Sequence, residues 1–438
     1  MKIRLFYHSL LSDWNHGNAH FLRGIVAELL ARGHDVLVYE PKDSWSLANL
    51  LAEHGRGPLR KFRETYPGLK SVRYDPSRFS AARAVAGADL VIVHEWSPPH
   101  VVQQLGELRR HREFVLLFHD THHRLVTDRD AMRAFDLSHY DGVLAYGEVL
   151  RRLYLSEGMA RQAWTWHEAA DPRVFHPISG AKPAGDLVWV GNWGDDERTE
   201  ELMEFLIRPV KMLGLKARVY GVRYPEHARA ALADAGIEYG GWLPNLEAPK
   251  IFAQFKVTVH VPRRPYVKAL PGIPTIRPFE ALACGIPLVC SPWRDAEHLF
   301  TPGEDFSRRA QRRTDDAPLA DAARKSVAPP TSHPPRTRHH PRASHLRASR
   351  GRAARDPCQP RGGASPHRRA GNASLPPSSC RRRTSRGRLS SFPHVPSSQH
   401  RVLRLESRVG VLERRRHLLP RHRARSGGAR TPRDVLRT

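Results

Sequence analysis

No stretch of the 438 residues reaches the roughly 18 consecutive apolar residues that a membrane-spanning helix needs. The opening segment MKIRLFYHSLLS has neither the apolar length nor the small-residue cleavage site of a signal peptide, so a cytoplasmic location is expected. Cysteine is scarce. Cys284, Cys290, Cys358 and Cys380 show no C-x-x-C spacing, which argues against a disulfide scaffold or a zinc knuckle and for free thiols in a reducing compartment. Acidic residues are scarce in one part only. Residues 1–306 carry 38 Lys and Arg against 37 Asp and Glu, while residues 307–438 carry 33 against 7, so nearly all of the net charge of +27 lies in the tail. A basic groove for nucleic acid is therefore not required of the first 306 residues, and a nucleic-acid or acidic-membrane partner could be argued only for the tail.

What is present in the first 306 residues is regular. Short β-branched apolar runs, KIRLFYH (2–8), DVLVYE (35–40), DLVIVHE (89–95), EFVLLFH (113–119) and GVLAYG (142–147), alternate with longer stretches of helical period. That alternation is the form of βαβ units around a parallel sheet buried on both faces. In HFLRGIVAELLARGH (20–34) the apolar residues recur at helical spacing, and Gly33 suits a C-cap. HEAADPRVFHP (167–177) breaks the pattern with Pro172 and Pro177, and a second series follows: 186–192, 216–221, 238–243, 256–261 and 287–291. The expectation is an α/β protein with two Rossmann-like domains facing a cleft, residues 1–166 and 167–306, followed by a disordered basic tail, residues 307–438.

Three segments carry chemistry. In IRPFEALACGIPLVCSPW (276–293) a helix opening near Thr275 would aim unsatisfied N–H groups into the cleft, which suits a diphosphate. In WVGNWGDDERTEEL (189–202), Gly191 and Gly194 flank Asn192 and Trp193 in a strand-to-helix turn that lets a phosphate approach the backbone. FHDTHHR (118–124) leaves the carboxyl end of a strand, where open α/β sheets place ligand-contacting groups. Together with HEAADPRVFHP, the first two segments resemble the CgeB-like (spore-maturation type) glycosyltransferases, relatives of the large retaining GT-B family. The resemblance spans residues 1–306.

It implies a GT-B fold and transfer of a sugar from a nucleoside-diphosphate donor to a glycan or other saccharide acceptor facing the first domain, with retention if it follows the larger family. By the same resemblance Glu280 accepts hydrogen bonds from the ribose hydroxyls, and His119 contacts the donor sugar, with Asp120 as acid/base or orienting group. One position departs from the wider family: Gly272 stands where an acidic residue that contacts the transferred sugar is usual. Such enzymes need no metal or cofactor, so cations must meet the diphosphate charge. Arg277 is the first candidate, followed by Arg263 and Lys268, with Arg198 and Arg264 behind them. His122 and His123 could join Asp120 around a metal ion, but adjacent histidines on a turn seldom face one ion. In the loop SDWNHGNAHFLRG (12–24), Gly17 allows close approach by the diphosphate or acceptor, whereas Trp14 and His20 could equally be packing residues.

The tail loses all periodicity at FSRRAQRR and becomes rich in Arg, Pro, Ser and His. A disordered basic segment is one reading. A shifted reading frame is another. Taking the last two bases of each codon with the first base of the next permits, over residues 403–438, W-N, R-G-I-V and R-G-H-x-V-x-x-Y-E in the order they hold in residues 6–40. A slip near Phe306 is the expectation, with loss of closing helices and weakened activity. Two other functions compete: a sugar-nucleotide epimerase of the same fold, and a basic nucleic-acid-binding protein acting through the tail. The absence of aromatics interleaved with the basic residues argues against specific nucleic-acid recognition.

Overall fold

The structure, a computed structural model, describes residues 1–301, 303 and 305–308. The expectations for residues 309–438, including disorder and nucleic-acid binding, lie outside the described residues. The first sheet is parallel throughout, with strands β1 (Lys2–Phe6), β2 (Asp35–Pro41), β3 (Ser71–Tyr74), β4 (Leu90–His94), β5 (Val115–Asp120), β6 (Gly142–Ala145) and β7 (Ala163–Thr165) in the order β3-β2-β1-β4-β5-β6-β7. β4, Leu-Val-Ile-Val-His, shows why it is central. Val91 and Val93 enter a core with Phe118 and Leu150 on one face, while Leu90 and Ile92 enter a core with Leu22 and Val26 on the other. Each such side chain contributes about 1.5–3 kcal/mol when fully buried. Helix Asn18–Ala31 lays Leu22, Val26 and Leu29 on that second face, and it ends where Gly33, at φ 79°, donates its N–H to the Leu30 carbonyl.

The second sheet is also parallel. Its strands are β8 (Gly185–Val190), β9 (Ala217–Tyr220), β10 (Glu238–Tyr239), β11 (Phe255–His260), β12 (Leu288–Cys290) and β13 (Ser307–Arg308), in the order β10-β9-β8-β11-β12-β13. The stretch expected to be a strand over 238–243 is shortened to two residues, because Gly240 and Gly241 turn the chain, the latter at φ 67°. Chain order reverses between β1 and β4 in one sheet and between β8 and β11 in the other. In open α/β sheets the crevice at the carboxyl ends beside such a reversal is where ligands bind.

The described residues belong to one compact unit. Tyr266, Leu270 and Ile273 follow β11 in the chain, yet they complete the core under the first sheet. Ile273 sits so close to Gly147 that a Cβ there would lie 2.8 Å from its Cδ1. Among the described residues no helix is long and apolar enough to cross a membrane.

Candidate functional site

A cleft of about 930 Å³ opens between the carboxyl ends of the two sheets. The second sheet supplies one wall from the turns after β8, β9, β10 and β11 and from the start of helix Ile276–Cys284. Gly191 and Asn192 line it as expected. The Gly191 carbonyl accepts from the Tyr224 hydroxyl at 2.8 Å, and Asn192 Oδ1 accepts from the Val222 N–H at 2.9 Å while its amide nitrogen donates to Asn15 across the cleft. Gly194 does not line the cleft; at φ 97° it shapes the turn beneath.

The expected cations separate into three kinds. Arg198 lines the cleft with its guanidinium held by three carbonyls, those of Val261 (2.8 Å), Trp193 (3.3 Å) and Asn192 (2.5 Å), and lies over the Trp189 ring. No carboxylate pairs with it among the described residues. Burial, together with the charge of Arg263, pulls its guanidinium down to about 9. Arg263 also lines the cleft but is tied to Glu197 at 2.6 Å, and Arg264 is tied to Glu201 at 2.8 Å. Lys268 is exposed and stands outside the cleft lining, because the short helix Arg264–Lys268 turns its last residue to solvent.

Thr275 and Arg277 both line the cleft at the N-terminus of helix Ile276–Cys284. Thr275 holds φ 54° and ψ −179°, a backbone conformation that β-branched residues rarely adopt and that carries strain of about 1–3 kcal/mol. Strain of this kind concentrates where a chain must present groups to a ligand. Glu280, one turn in, does not itself line the cleft: it is fully buried behind Arg277, with which it is ion-paired, and its Oε1 has no hydrogen-bond partner. Burial lifts its carboxyl to about 7 against the pull of Arg277. Gly272 suits its position: φ is 96°, and a Cβ would lie 3.2 Å from both Ala296 Cβ and Glu297 Cγ, so an acidic side chain there would strain the backbone and crowd its neighbours.

The first sheet supplies the other wall. Gly17 lines it and packs against Ile276, to whose Cγ2 an added Cβ would be 3.8 Å. The loop behind it is fixed by Glu40, whose Oε2 accepts from the Ser9 hydroxyl (2.8 Å) and from the Leu10 and Leu11 N–H groups (2.9 and 3.3 Å). Trp14 is buried yet touches the cleft, and His20 is packing, its Nε2 accepting from the Asp171 N–H at 3.0 Å.

His119 and Asp120 are placed differently from expectation. Both are fully buried at the end of β5 and neither lines the cleft, because this strand is covered on both faces. His119 Nδ1 bonds the Tyr7 hydroxyl at 2.6 Å, and burial holds its imidazole down at about 3. Asp120 accepts from the Tyr154 hydroxyl (2.8 Å) and the His122 N–H (2.9 Å), and burial raises its carboxyl. The residues that reach the cleft from this segment are Thr121, His122 and His123. His123 faces Glu197 of the other wall at 3.4 Å. Although burial raises Glu197, His123 and Arg263 together bring it down to about 2.

Several cleft residues carried no clear sequence signal. Trp45 and Trp96 stand partly open on the first wall and Trp242 on the second. Glu168, in the segment read as a linker, forms part of the floor. Buried polar atoms without partners gather here: His16 Nε2, Asn18 Oδ1, His122 Nδ1, Trp242 Nε1, Asn245 Nδ2 and His260 Nε2. Buried polar groups are normally satisfied, so a lining of orphans marks a surface that takes a polar ligand. Among the described residues no group of three or more His, Cys, Asp or Glu is arranged to hold a metal ion.

Residues 198–352 match the glycosyl transferase-like family, a range that runs past Phe306. No curated protein matches the chain in sequence. Among solved structures, sucrose-phosphate synthase from Thermosynechococcus elongatus is similar with 16% identity and a TM-score of 0.53, covering 73% of this chain and 88% of that chain. The Anabaena protein HepE in complex with UDP is similar with 13% identity and a TM-score of 0.49, covering 74% of this chain and 89% of that chain. The fold is the GT-B arrangement of two parallel α/β halves about a cleft. The family match and the fold support a transferase.

Proposed function

We propose that the chain transfers a sugar from a nucleoside-diphosphate donor to a saccharide acceptor, in the manner of the CgeB-like glycosyltransferases. The observation that carries this reading is the second wall of the cleft. There the guanidinium of Arg198, met only by carbonyl oxygens, stands with the N-terminus of helix Ile276–Cys284 and with Arg277. A partly buried cation without a carboxylate, beside unsatisfied N–H groups, is a site for a compact anion. Glu280 lies one turn deeper, behind Arg277 and outside the cleft lining, with a free oxygen; it becomes open to ribose hydroxyls only once Arg277 turns to the phosphates. The partly open Trp45 and Trp96 on the opposite wall offer faces suited to the C–H surface of a sugar ring.

Calorimetric titration with UDP and with GDP tests the donor half of the proposal. Replacing Glu280 by Ala is expected to weaken whichever nucleotide binds, and unchanged affinity for both would remove Glu280 from the site. Consumption of donor with no transferred product would favour the epimerase instead. Metal-independence belongs to the proposal because arginines and backbone dipoles supply the positive charge. Transfer should persist in a chelator, and its loss there would refute this part. The free thiol of Cys284 accords with a cytoplasmic setting. We also infer a frame slip near Phe306, against which stands the family match running to residue 352. An intact single frame around codon 306 in independent isolates would refute the slip.

A further inference from the structure

We propose that Glu168 is a proton-bearing acid of the cleft, presenting its carboxylic O–H to a phosphate oxygen of a bound nucleoside diphosphate. The inference rests on the donor reading above and adds a residue and a proton to it.

Four carboxyl side chains line the cleft, and three have a guanidinium partner. Asp13 pairs with Arg23 at 2.9 Å, Asp195 with Arg223 at 3.0 Å and Glu197 with Arg263 at 2.6 Å. Glu168, 8% exposed, has none among the described residues; Oε1 accepts from the neutral Asn18 amide at 3.1 Å. The other end of that amide, Asn18 Oδ1, is itself a buried orphan. Asn18 begins helix Asn18–Ala31 directly after Gly17, and Gly17 packs on Ile276, the first residue of the helix expected to face the phosphates. Glu168 therefore reaches the cleft beside the anion wall rather than at its outer rim.

A carboxylate there would repel a diphosphate, whereas a carboxylic acid offers it one O–H donor. The surroundings favour the acid. Helix Ile276–Cys284 faces Glu168 with Glu280 and Arg277, the end of β6 with Tyr146, and helix Arg264–Lys268 with Tyr266. Helix Asn18–Ala31 adds Asn18 and, two residues on, His20, whose ring accepts from the Asp171 N–H. Arg277 is the one cation of that set, and Glu280 already holds it. Burial, with Glu280 adding to it, lifts the Glu168 carboxyl to about 7. Above that pH the free site loses its proton, and an arriving diphosphate must draw one back from solvent.

The test is calorimetric titration of the full chain with UDP, GDP and ADP at several pH values above 7, each in two buffers of different ionisation enthalpy, for wild type and Glu168→Gln. The wild type is expected to take up more proton on binding than the variant, and its Kd to rise by up to about tenfold per pH unit more steeply. The amide keeps a donor but cannot titrate, so the variant still binds. Should Glu168→Gln fail to fold, Glu168→Ser serves as the neutral variant, and Glu168→Asp must restore the uptake. Equal proton uptake by wild type and neutral variant overturns the role of Glu168 while leaving the donor reading in place. No binding of any of the three nucleotides overturns the donor reading itself.

Discussion

Gly147 caps helix Glu148–Ser156 with φ −160° and ψ 154°, an extended conformation open to any residue, so the cost of Gly147→Ala must come from space alone. The added methyl would sit 2.8 Å from Ile273 Cδ1, closer still to Cγ1, and 3.4 Å from Glu297 Oε1. Carbon atoms pack best at about 3.5–4.0 Å, so Ile273 must yield. It has little freedom to do so, being wholly enclosed in the core under the first sheet. Overpacking of this kind costs about 1–3 kcal/mol, offset by about 0.4–1 kcal/mol because alanine restricts the unfolded chain. A net loss of about 1–2 kcal/mol is expected. Ile273→Ala alone should cost about 2–5 kcal/mol through the cavity it leaves. In the double variant the new methyl enters that cavity, so the combined loss should fall short of the sum by about 1–2 kcal/mol. Urea unfolding of the full chain, followed by tryptophan fluorescence and far-ultraviolet circular dichroism, measures all three. Wild-type stability for Gly147→Ala, or strict additivity in the double variant, would refute the packing argument.

Arg198→Met should weaken UDP binding about 10- to 150-fold, the loss of one hydrogen bond to a charged group worth about 1.5–3 kcal/mol; a wild-type Kd from a folded variant would refute the role given to this guanidinium. Stability should peak at about pH 6.5 and decline until about pH 8. Burial holds His8, His16, His20, His94, His119, His122 and His260 below their ordinary value, so the unfolded chain binds the extra protons and stability falls as pH drops below about 6.5. Burial raises Glu95, Asp120, Glu168 and Glu280, so from the ordinary carboxyl range up to about 6 to 8 the folded chain holds the extra protons, and their contribution declines across that window and levels off above it. Urea midpoints from pH 5 to 9 check both limbs, and a midpoint still climbing from pH 7 to 9 would refute the second.

Much of the fold was legible because parallel strands buried on both faces announce themselves as unbroken apolar runs, as in DLVIVHE and KVTVHV. β3, β7 and β13 escaped because each is a short sheet-edge strand without such a run. The helix of IRPFEALACG was legible from its opening near Thr275, while its stop at Gly285, φ 71°, was not read from the sequence. The cleft was legible where a motif marks a backbone feature, as at Gly191, Asn192, Thr275 and Arg277. It was not legible where the outcome depended on which way a side chain turned. His119 ends a strand covered on both sides, and nothing local distinguishes it from His122, three residues on, which reaches the cleft. Glu168 was hidden for another reason: its segment reads as a connector, and only the fold brings Asn18, 150 positions away, against it.

The single carboxylate of Glu40 has a consequence for how ligands arrive. By gathering the Ser9 hydroxyl and the Leu10 and Leu11 N–H groups onto one oxygen, it holds the start of the loop that leads to the first wall in place before any ligand is present. A segment ordered in advance has no rotational freedom left to surrender on binding, so that wall acts as a template. Association on this side should be limited by diffusion into the opening, with the slower, adaptive steps left to the arginine-bearing turns opposite.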